Sequence, residues 1–347
     1  VEFLHSDQEP LMNTFTRKAP WPEGERELGQ VRAFNRKLAW LPRFKIRNRV
    51  LPRIIQMLLR ASQIGGATKL LKHGLTAESQ VIDSGGVPVG VRIIRPKGRA
   101  KGVVLDYHGG GWVIGNAQMN DNFNVAIVNT CDVTVVSVDY RLAVSTPIKE
   151  VMQDCLAAAQ WLLTDKEFAN LPVIVVGESA GGHLAAATLL GLKPSPDLLQ
   201  RVSGALLYYG VYDLTGTPSV RTAPPQTLVL DGPGIVDALR MLTPDLSDEE
   251  RRQPPLSPLY GDFSDFPPAL MFAGELDPLR DDTLDIAERW KQSAPVEMHL
   301  LPSSPHGFIH FPTAIAESVL TYSREWICAR VDGQMNASAL ESGNTPS

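Results

Sequence analysis

The segment from Gly177 to Gly181 reads Gly-Glu-Ser-Ala-Gly, which matches the pattern G-x-S-x-G with Ser179 at its centre. A run of valine and isoleucine, 173–176, precedes it, and a run rich in alanine and leucine, 180–190, follows it. This order of strand, turn and helix is the setting of a nucleophile elbow, in which the serine is held in a strained backbone conformation. We therefore predict that Ser179 is a nucleophile, and a simple strand-to-helix turn is the alternative.

A serine hydroxyl is a weak nucleophile until a histidine takes its proton and a carboxylate holds that histidine. His306, in the segment His-Gly-Phe, follows the last candidate strand, where a side chain can reach back over the edge of the sheet. We predict that it is the base. His183, His299 and His310 are better explained by packing or by surface positions.

The acid is expected between the nucleophile and the base, because in this chain order the members run serine, acid, histidine. Asp277 lies just beyond the strand 268–273 and before a helix that contains Asp281 and Asp282 near its start. We predict that Asp277 is the acid. Two alternatives are a helix-capping role for Asp277, since aspartate favours caps, and Glu275 as the acid.

A glycine-rich run, His108 to Gly111, directly follows the strand 102–107. Ester attack puts negative charge on the former carbonyl oxygen, so backbone N–H donors must already point at it. We predict that Gly110, Gly111 and Ala180 donate these hydrogen bonds, and that His108 anchors the loop. The spacing does not fit a phosphate-binding P-loop, which also needs a Lys-Ser/Thr pair.

Candidate strands and helices alternate over most of the chain, which predicts an α/β fold with a mostly parallel sheet and helices on both faces. The residues from 81 to 94 instead read as an antiparallel hairpin with its turn at Gly85 and Gly86. Between residues 213 and 262 there are many prolines and no candidate strand, so we assign this stretch to an inserted lid. The predicted division is a helical N-terminal lid segment (1–78), a core in two parts (79–212 and 263–330), the lid insertion (213–262) and a disordered tail (331–347).

The N-terminal segment is strongly basic. Residues 28–77 contain eleven Lys or Arg and no Asp or Glu, which leaves the remaining chain at 22 − 38 = −16. Such a surface suits nucleic acid, a membrane or an anionic substrate. We favour a helical lid with a solvated basic face, because apolar residues recur at helical spacing. Trp112 is predicted to line the substrate pocket, together with lid aromatics such as Trp40 and Phe44.

The overall composition is that of a globular protein, with 44% apolar and 20% charged residues among 347. No apolar stretch approaches the ~20 residues that span a bilayer, and no nucleic-acid motif accompanies the basic residues. We expect a cytoplasmic protein and leave homodimer formation open. Cys131, Cys155 and Cys328 have no metal-ligand spacing, and we expect buried thiols rather than a disulfide or a metal site.

The chain resembles the hormone-sensitive lipase family of esterases, also known by its HGGG signature, from about Val81 to Trp326. The matching segments are His108-Gly109-Gly110-Gly111-Trp112, Asp139-Tyr140-Arg141-Leu142-Ala143, Gly177-Glu178-Ser179-Ala180-Gly181-Gly182, Asp277-Pro278-Leu279-Arg280-Asp281 and His306-Gly307-Phe308. The resemblance implies an α/β-hydrolase fold with an eight-stranded sheet and a helical lid. It also implies hydrolysis of short- to medium-chain acyl esters without a cofactor or metal. The family commonly has Asp where Glu178 stands, and often Pro-Glu-His-Pro where Val144 to Pro147 stand.

The predicted function is that of a serine carboxylesterase, which acts on a small-molecule ester through a Ser-His-Asp triad and a covalent acyl-enzyme. An amidase or an acyltransferase on the same triad is a second hypothesis, because the same acyl-enzyme serves any acceptor. A non-catalytic binding module is a third, since plant gibberellin receptors resemble this family but lack the catalytic histidine. The presence of His306 in its motif favours an enzyme.

Overall fold

The computed structural model describes residue 21 and residues 24–48 and 50–342. Eight strands form one sheet in the order β1-β2-β4-β3-β5-β6-β7-β8. The pairs β1–β2 and β2–β4 are antiparallel, and the other neighbours are parallel. The strands are β1 (Ala77–Ser84), β2 (Val87–Ile94), β3 (Gly102–Tyr107), β4 (Val133–Asp139), β5 (Val173–Glu178), β6 (Val202–Tyr208), β7 (Ala269–Gly274) and β8 (Val296–Leu301). The predicted hairpin and the mostly parallel sheet are both confirmed.

Helices connect the strands and cover both faces of the sheet. They are α1 (Glu25–Leu38), α2 (Val50–Ser62), α3 (Gly66–Lys72), α4 (Asp121–Cys131), α5 (Ile148–Thr164), α6 (Ala180–Leu192), α7 (Pro196–Leu199), α8 (Pro218–Arg221), α9 (Ile235–Leu242), α10 (Asp248–Arg252), α11 (Arg280–Trp290) and α12 (Ala314–Ser342). Side chains alternate sides along a strand, so Val103 and Leu105 join one hydrophobic core with α5 and α6, while Val104 joins a second core with α4 and α12. The central strands are therefore buried on both faces, which explains their nearly continuous apolar sequences.

The stretch from 213 to 262 contains α8, α9 and α10 and no strand of the sheet. It meets the N-terminal segment at an isolated bridge between Phe44 and Leu230, where the amide of Phe44 donates to the carbonyl oxygen of Val229 at 2.6 Å. The Lys45 ammonium lies 3.3 Å from the Asp231 carboxylate beside this bridge. Two segments far apart in sequence thus lie together over one end of the sheet.

The prediction of a disordered tail from residue 331 is wrong for residues 331–342, because α12 continues to Ser342. Val331 is fully buried, so the helix enters this region while still packed on the core. A helix satisfies its own backbone hydrogen bonds, so it can continue past its last buried turn without apolar periodicity. Residues 343–347 lie outside the described residues.

The cysteine prediction is also wrong in part. Cys131 at the end of α4 and Cys328 in α12 form a disulfide across 197 residues, with their Cα atoms 5.0 Å apart. Cys155 is a buried free thiol, as expected. The pairing depends on the packing of α4 against α12, which no sequence spacing reveals. Disulfides are rare in reducing compartments, so the bond does not favour the cytoplasmic location, which stays a prediction.

Candidate active site

Ser179 lies at the turn between β5 and α6, with a backbone φ of 53° and ψ of −120°. A Cβ on Gly177 would come within 2.3 Å of the carbonyl oxygen of Gly181, and a Cβ on Gly181 within 1.9 Å of that of Tyr107. Only glycine fits at these two positions, because strand and helix approach each other backbone to backbone. The turn holds the serine in a strained conformation and exposes its hydroxyl at the carboxyl end of the sheet.

Three side chains from separate parts of the chain form one hydrogen-bonded chain. The Ser179 hydroxyl donates to Nε2 of His306 at 2.9 Å, and Nδ1–H of His306 donates to Oδ2 of Asp277 at 2.8 Å. The Asp277 side chain is fully buried, and 7% of the His306 side chain is exposed. With this tautomer, the free lone pair of Nε2 faces the serine, which is the arrangement that a general base needs.

Asp277 lies two residues before Leu279, the N-cap residue of α11, and forms no cap hydrogen bond to that helix, so the capping alternative is wrong. Its Oδ1 atom accepts a hydrogen bond from the amide of Leu279 at 2.8 Å, while Oδ2 accepts the one from His306. The two hydrogen bonds therefore use different oxygens of one carboxylate. The alternative acid, Glu275, is exposed and accepts a hydrogen bond from the amide of Ser303 at 2.9 Å.

The predicted oxyanion donors lie beside Ser179. Gly110 and Gly111 have φ values of 105° and 59°, and Ala180 is the first residue of α6, where amides lack an intrahelical acceptor. Within the described residues, none of these three amides has a protein acceptor. They are free to donate to a ligand in the cavity.

His108 supports the glycine loop from behind. Its Nδ1 lies 2.7 Å from the carbonyl oxygen of Gly109, and its ring stacks on Tyr140 at 4.1 Å between centroids. The Tyr140 hydroxyl donates to the carbonyl oxygen of His108 at 2.7 Å. Burial lowers the pKa of His108, so its neutral form anchors the loop.

A cavity of about 210 Å³ opens in front of Ser179. Its floor is made of Ser179, His306 and the oxyanion glycines. Its walls are apolar side chains from the N-terminal segment and from the 213–262 stretch: Phe44, Ile46, Val229, Leu230, Ile235, Ala238, Leu239 and Leu242. Such a site suits the uncharged, apolar part of a small ligand.

Trp112 lines this cavity as predicted, with only 3% of its surface exposed. Its Nε1–H donates to Nδ1 of His183 at 3.2 Å, and Nε2 of His183 lies 2.9 Å from the carbonyl oxygen of Leu256. Burial lowers the pKa of His183 to about 4, so the neutral ring can accept from Trp112. Phe44 also lines the cavity, but Trp40 is 90% exposed, so the expectation that Trp40 contributes is wrong.

Sequence reasoning missed an ion pair next to the nucleophile. Nε2–H of His310 donates to Oε2 of Glu178 at 2.6 Å, and the hydroxyl of Tyr209 donates to the same oxygen at 2.9 Å. The Tyr209 ring in turn packs edge-on against the His306 ring, with centroids 4.8 Å apart. His310 therefore belongs to the cavity lining rather than to an ordinary surface position. A buried glutamate needs a positively charged partner. The glutamate next to the nucleophile was therefore the sequence signal from which a cationic neighbour could have been predicted.

The ion pair shifts both pKa values. Burial alone raises the pKa of Glu178, but the charge and hydrogen bond of His310 and the hydrogen bond of Tyr209 outweigh it, and the pKa falls to about 2. The Glu178 charge raises the pKa of His310 against the opposing effect of burial. Glu178 stabilises the fold above its ordinary pKa of 4.5 and loses this effect as the pH falls towards 2. His310 stabilises the fold below its ordinary pKa of 6.5 and loses this effect as the pH rises through the raised value.

We expect Glu178→Gln to lower the free energy of unfolding by about 1–2 kcal/mol near pH 5.5, because a charged hydrogen bond is lost and solvent screens the half-exposed partner. The loss should shrink well above the His310 pKa and near pH 2, where the pair is no longer charged on both sides. Urea unfolding at several pH values measures it. Glu325→Gln, an exposed site on α12, is the matched control and should show no such profile. A difference that stays constant with pH would contradict the charge-pair explanation.

No described residues form a group of three or more His, Cys, Asp or Glu side chains that could hold a metal ion. Among the described residues, every helix is too short or too polar to span a bilayer.

Comparisons with known proteins agree with the fold. A model of the alpha/beta hydrolase fold family matches residues 104–310. The carboxylesterase NlhH of Mycobacterium tuberculosis is 32% identical over 224 residues, which cover 61% of this chain and 68% of that protein. An arylesterase of Saccharolobus solfataricus is 31% identical over 233 residues, which cover 64% and 73%. Among solved structures, the esterase LipW from Mycobacterium marinum is 25% identical, with a TM-score of 0.76 over 89% of this chain and 98% of that one.

Proposed function

Because the chain belongs to the alpha/beta hydrolase fold family, in which it is similar to esterases of the hormone-sensitive lipase type, we propose that it hydrolyses short- to medium-chain acyl esters through a covalent acyl-enzyme on Ser179. Carboxylesterase and arylesterase are the activities that its relatives' names give. The proposal of a covalent acyl-enzyme on Ser179 rests on the hydrogen-bonded chain from Ser179 through His306 to Asp277 at the floor of the cavity.

In the first half of the reaction, the Ser179 Oγ attacks the ester carbonyl carbon while Nε2 of His306 takes the hydroxyl proton. The negative charge that develops on the carbonyl oxygen is stabilised by the amides of Gly110, Gly111 and Ala180. The Asp277 carboxylate holds the imidazolium that forms. The tetrahedral intermediate then collapses, the bond to the alcohol oxygen breaks, and His306 protonates the leaving alcohol.

The second half repeats these roles with water. His306 takes a proton from a water molecule, whose oxygen attacks the acyl carbon, and the same amides stabilise the second oxyanion. When the bond to Oγ breaks, His306 returns the proton to Ser179, and the carboxylic acid leaves. Every proton is therefore accounted for by His306, the Ser179 hydroxyl, the leaving alcohol and the attacking water.

The size of the cavity supports a preference for esters whose acyl chains are short to medium in length. At about 210 Å³ it is smaller than typical drug-sized pockets of roughly 300–1,000 Å³. The N-terminal segment and the 213–262 stretch supply most of its apolar wall, which supports their assignment as a lid that selects the substrate. Ala238, on α9, is buried at this wall and is well placed to limit the length of the acyl group.

We expect Ala238→Leu to shift the preferred acyl chain towards shorter esters, since the added side chain occupies cavity volume. In a series of p-nitrophenyl esters, kcat/KM for the longest productive chain should fall by about 10-fold or more, because one methylene in a pocket is worth about that much. The shortest ester should be much less affected. Ala329→Leu, the same change at an exposed position of α12, is the control. An unchanged chain-length profile would argue that the wall formed by α9 does not contact the acyl group.

A further inference from the structure

The helix α2 turns an apolar face to solvent. Successive residues of an α-helix are rotated by about 100°, which places Val50, Ile54, Met57, Leu58 and Leu51 on one arc of about 120°. These side chains are between 46% and 63% exposed. The opposite side of the helix carries the buried Pro52. One side of the helix therefore packs against the protein, and the described residues leave its more apolar side uncovered.

Apolar residues that flank α2 in the sequence are exposed as well. Ile64, two residues after the helix, is 84% exposed, and Trp40 and Leu41, before it, are 90% and 60% exposed. Scattered exposed apolar residues are normal, but contiguous ones mark an interaction surface. We call the exposed face of α2 together with these flanking residues the apolar cap face.

Positive charges accompany this face. Arg53 and Arg60 lie two turns apart on one stripe of α2 next to the apolar arc, and both are exposed. Within the described part of the chain, no carboxylate lies within ion-pair distance of either guanidinium. The whole stretch from residue 28 to residue 77 has eleven Lys or Arg and no Asp or Glu. A charged partner for this surface therefore has to be anionic.

Hydrogen bonds connect α2 to the glycine loop of the active site. The Gln56 side chain donates to the carbonyl oxygen of Gly115 and accepts from its amide, both at 2.8 Å. Gly115 closes the loop that carries Gly110 and Gly111. Phe44 and Ile46, between α1 and α2, line the cavity itself. Any surface that binds α2 is thereby brought close to the entrance of the cavity.

We propose that the apolar cap face docks the protein on the surface of an anionic lipid bilayer, with α2 lying in the plane of the interface. An exposed apolar arc flanked by arginine is the pattern of interfacial helices, whose apolar side chains enter the boundary of the acyl chains while cations contact the head groups. A second copy of the chain fits this face less well. A symmetric dimer would pair the surface with itself and bring the two sets of cations together, with no carboxylate on the segment to neutralise them.

One consequence concerns the substrate. If the proposed ester hydrolysis is correct, docking through α2 lets an apolar ester pass from the bilayer to the cavity wall formed by Phe44 and Ile46. The binding step itself does not depend on the proposed function, so the two can be tested separately.

The test measures partition of the full chain onto sedimented vesicles of phosphatidylcholine with about 30 mol % phosphatidylglycerol, and onto vesicles of phosphatidylcholine alone. We expect binding to the anionic vesicles and much weaker binding to the neutral ones. Arg53→Gln with Arg60→Gln should weaken anionic binding by about 30-fold, since each charge is worth about fivefold. Met57→Ser with Leu58→Ser should weaken it by at least about 10-fold, because two side chains no longer bury apolar surface.

Matched controls are Arg289→Gln with Lys291→Gln, which remove the same charge at the end of α11, and Leu300→Ser on β8, an exposed apolar residue. These variants should bind like the unchanged protein. All variants should keep their turnover of a water-soluble ester, which separates lost docking from lost catalysis. Equal binding to both vesicle types, no binding, or a dimer that dissociates when Met57 and Leu58 are changed would each overturn the proposal.

Discussion

Replacing Ser179 with alanine is expected to reduce kcat for a chromogenic short-chain ester by about a million-fold, the loss seen when a serine protease loses its nucleophile. The reason is that no covalent acyl-enzyme can form without Oγ, and His306 then has no hydroxyl proton to take at 2.9 Å. A residual rate of ~10³-fold over water is expected to survive, because the amides of Gly110 and Gly111 still stabilise an oxyanion.

Ser179→Ala should remain folded, because the turn depends on Gly177 and Gly181 rather than on the hydroxyl. Its thermal unfolding should therefore be close to that of the unchanged protein. Ser145→Ala, an exposed serine before α5, is the matched control and should keep full activity.

Labelling with an organophosphate gives a second, independent measurement for the same variant. Mass spectrometry should find one phosphoryl adduct on the peptide that contains Ser179 in the unchanged protein and none in Ser179→Ala. Turnover that persists in the variant, or an adduct on another residue, would refute the assignment. A protein that binds esters without hydrolysing them would resist the reagent, so the labelling also tests the binding-module hypothesis.

The second large effect is expected from Asp277→Asn, which should lower kcat by about 10⁴-fold, as the equivalent change does in a serine protease. An amide at this position can donate to Nδ1 of His306 through its NH₂ group. The ring then carries its proton on Nε2 and cannot accept the one from Ser179. The substitution keeps the shape of the side chain, and an oxygen can still accept from the amide of Leu279, so the turn before α11 should hold.

Glu275→Gln decides between the two candidate acids. Glu275 is exposed and contacts the amide of Ser303 rather than His306, so its replacement should change kcat/KM by no more than about twofold. A large loss from Glu275→Gln with little loss from Asp277→Asn would reverse the assignment. Nitrogen-15 NMR of the His306 ring, which reports which nitrogen carries the proton, checks the tautomer in Asp277→Asn directly.

Local patterns in the sequence predicted much of the site. Ser179 stands out because a strand, a tight turn and a helix are contiguous, and each is recognised by the spacing of its apolar residues or by its glycines. His306 and Asp277 follow from their positions after strands, since the carboxyl ends of parallel strands meet at one edge of a sheet. The same reasoning predicted the sheet, because its strands and helices alternate along the chain.

Contacts between distant segments could not be predicted in this way. The pairing of Glu178 with His310 joins residues 132 apart, and the disulfide of Cys131 with Cys328 joins residues 197 apart. By itself, each of these four residues is also compatible with an ordinary packing or surface position. Only the packing of one element on another brings the two partners within a few ångströms.

What the sequence determined by itself is the set of candidate reacting groups and the order of the elements that carry them, because backbone periodicity and turn chemistry are local. What only the tertiary structure decided is the direction of the side chains on the lid: Phe44 lines the cavity, while Trp40 faces solvent. Both are aromatic and only four residues apart in one basic segment. The helix α1 ends at Leu38, before both residues, and the chain then pairs with Leu230 at Phe44. This long-range contact sets which aromatic ring is turned inward.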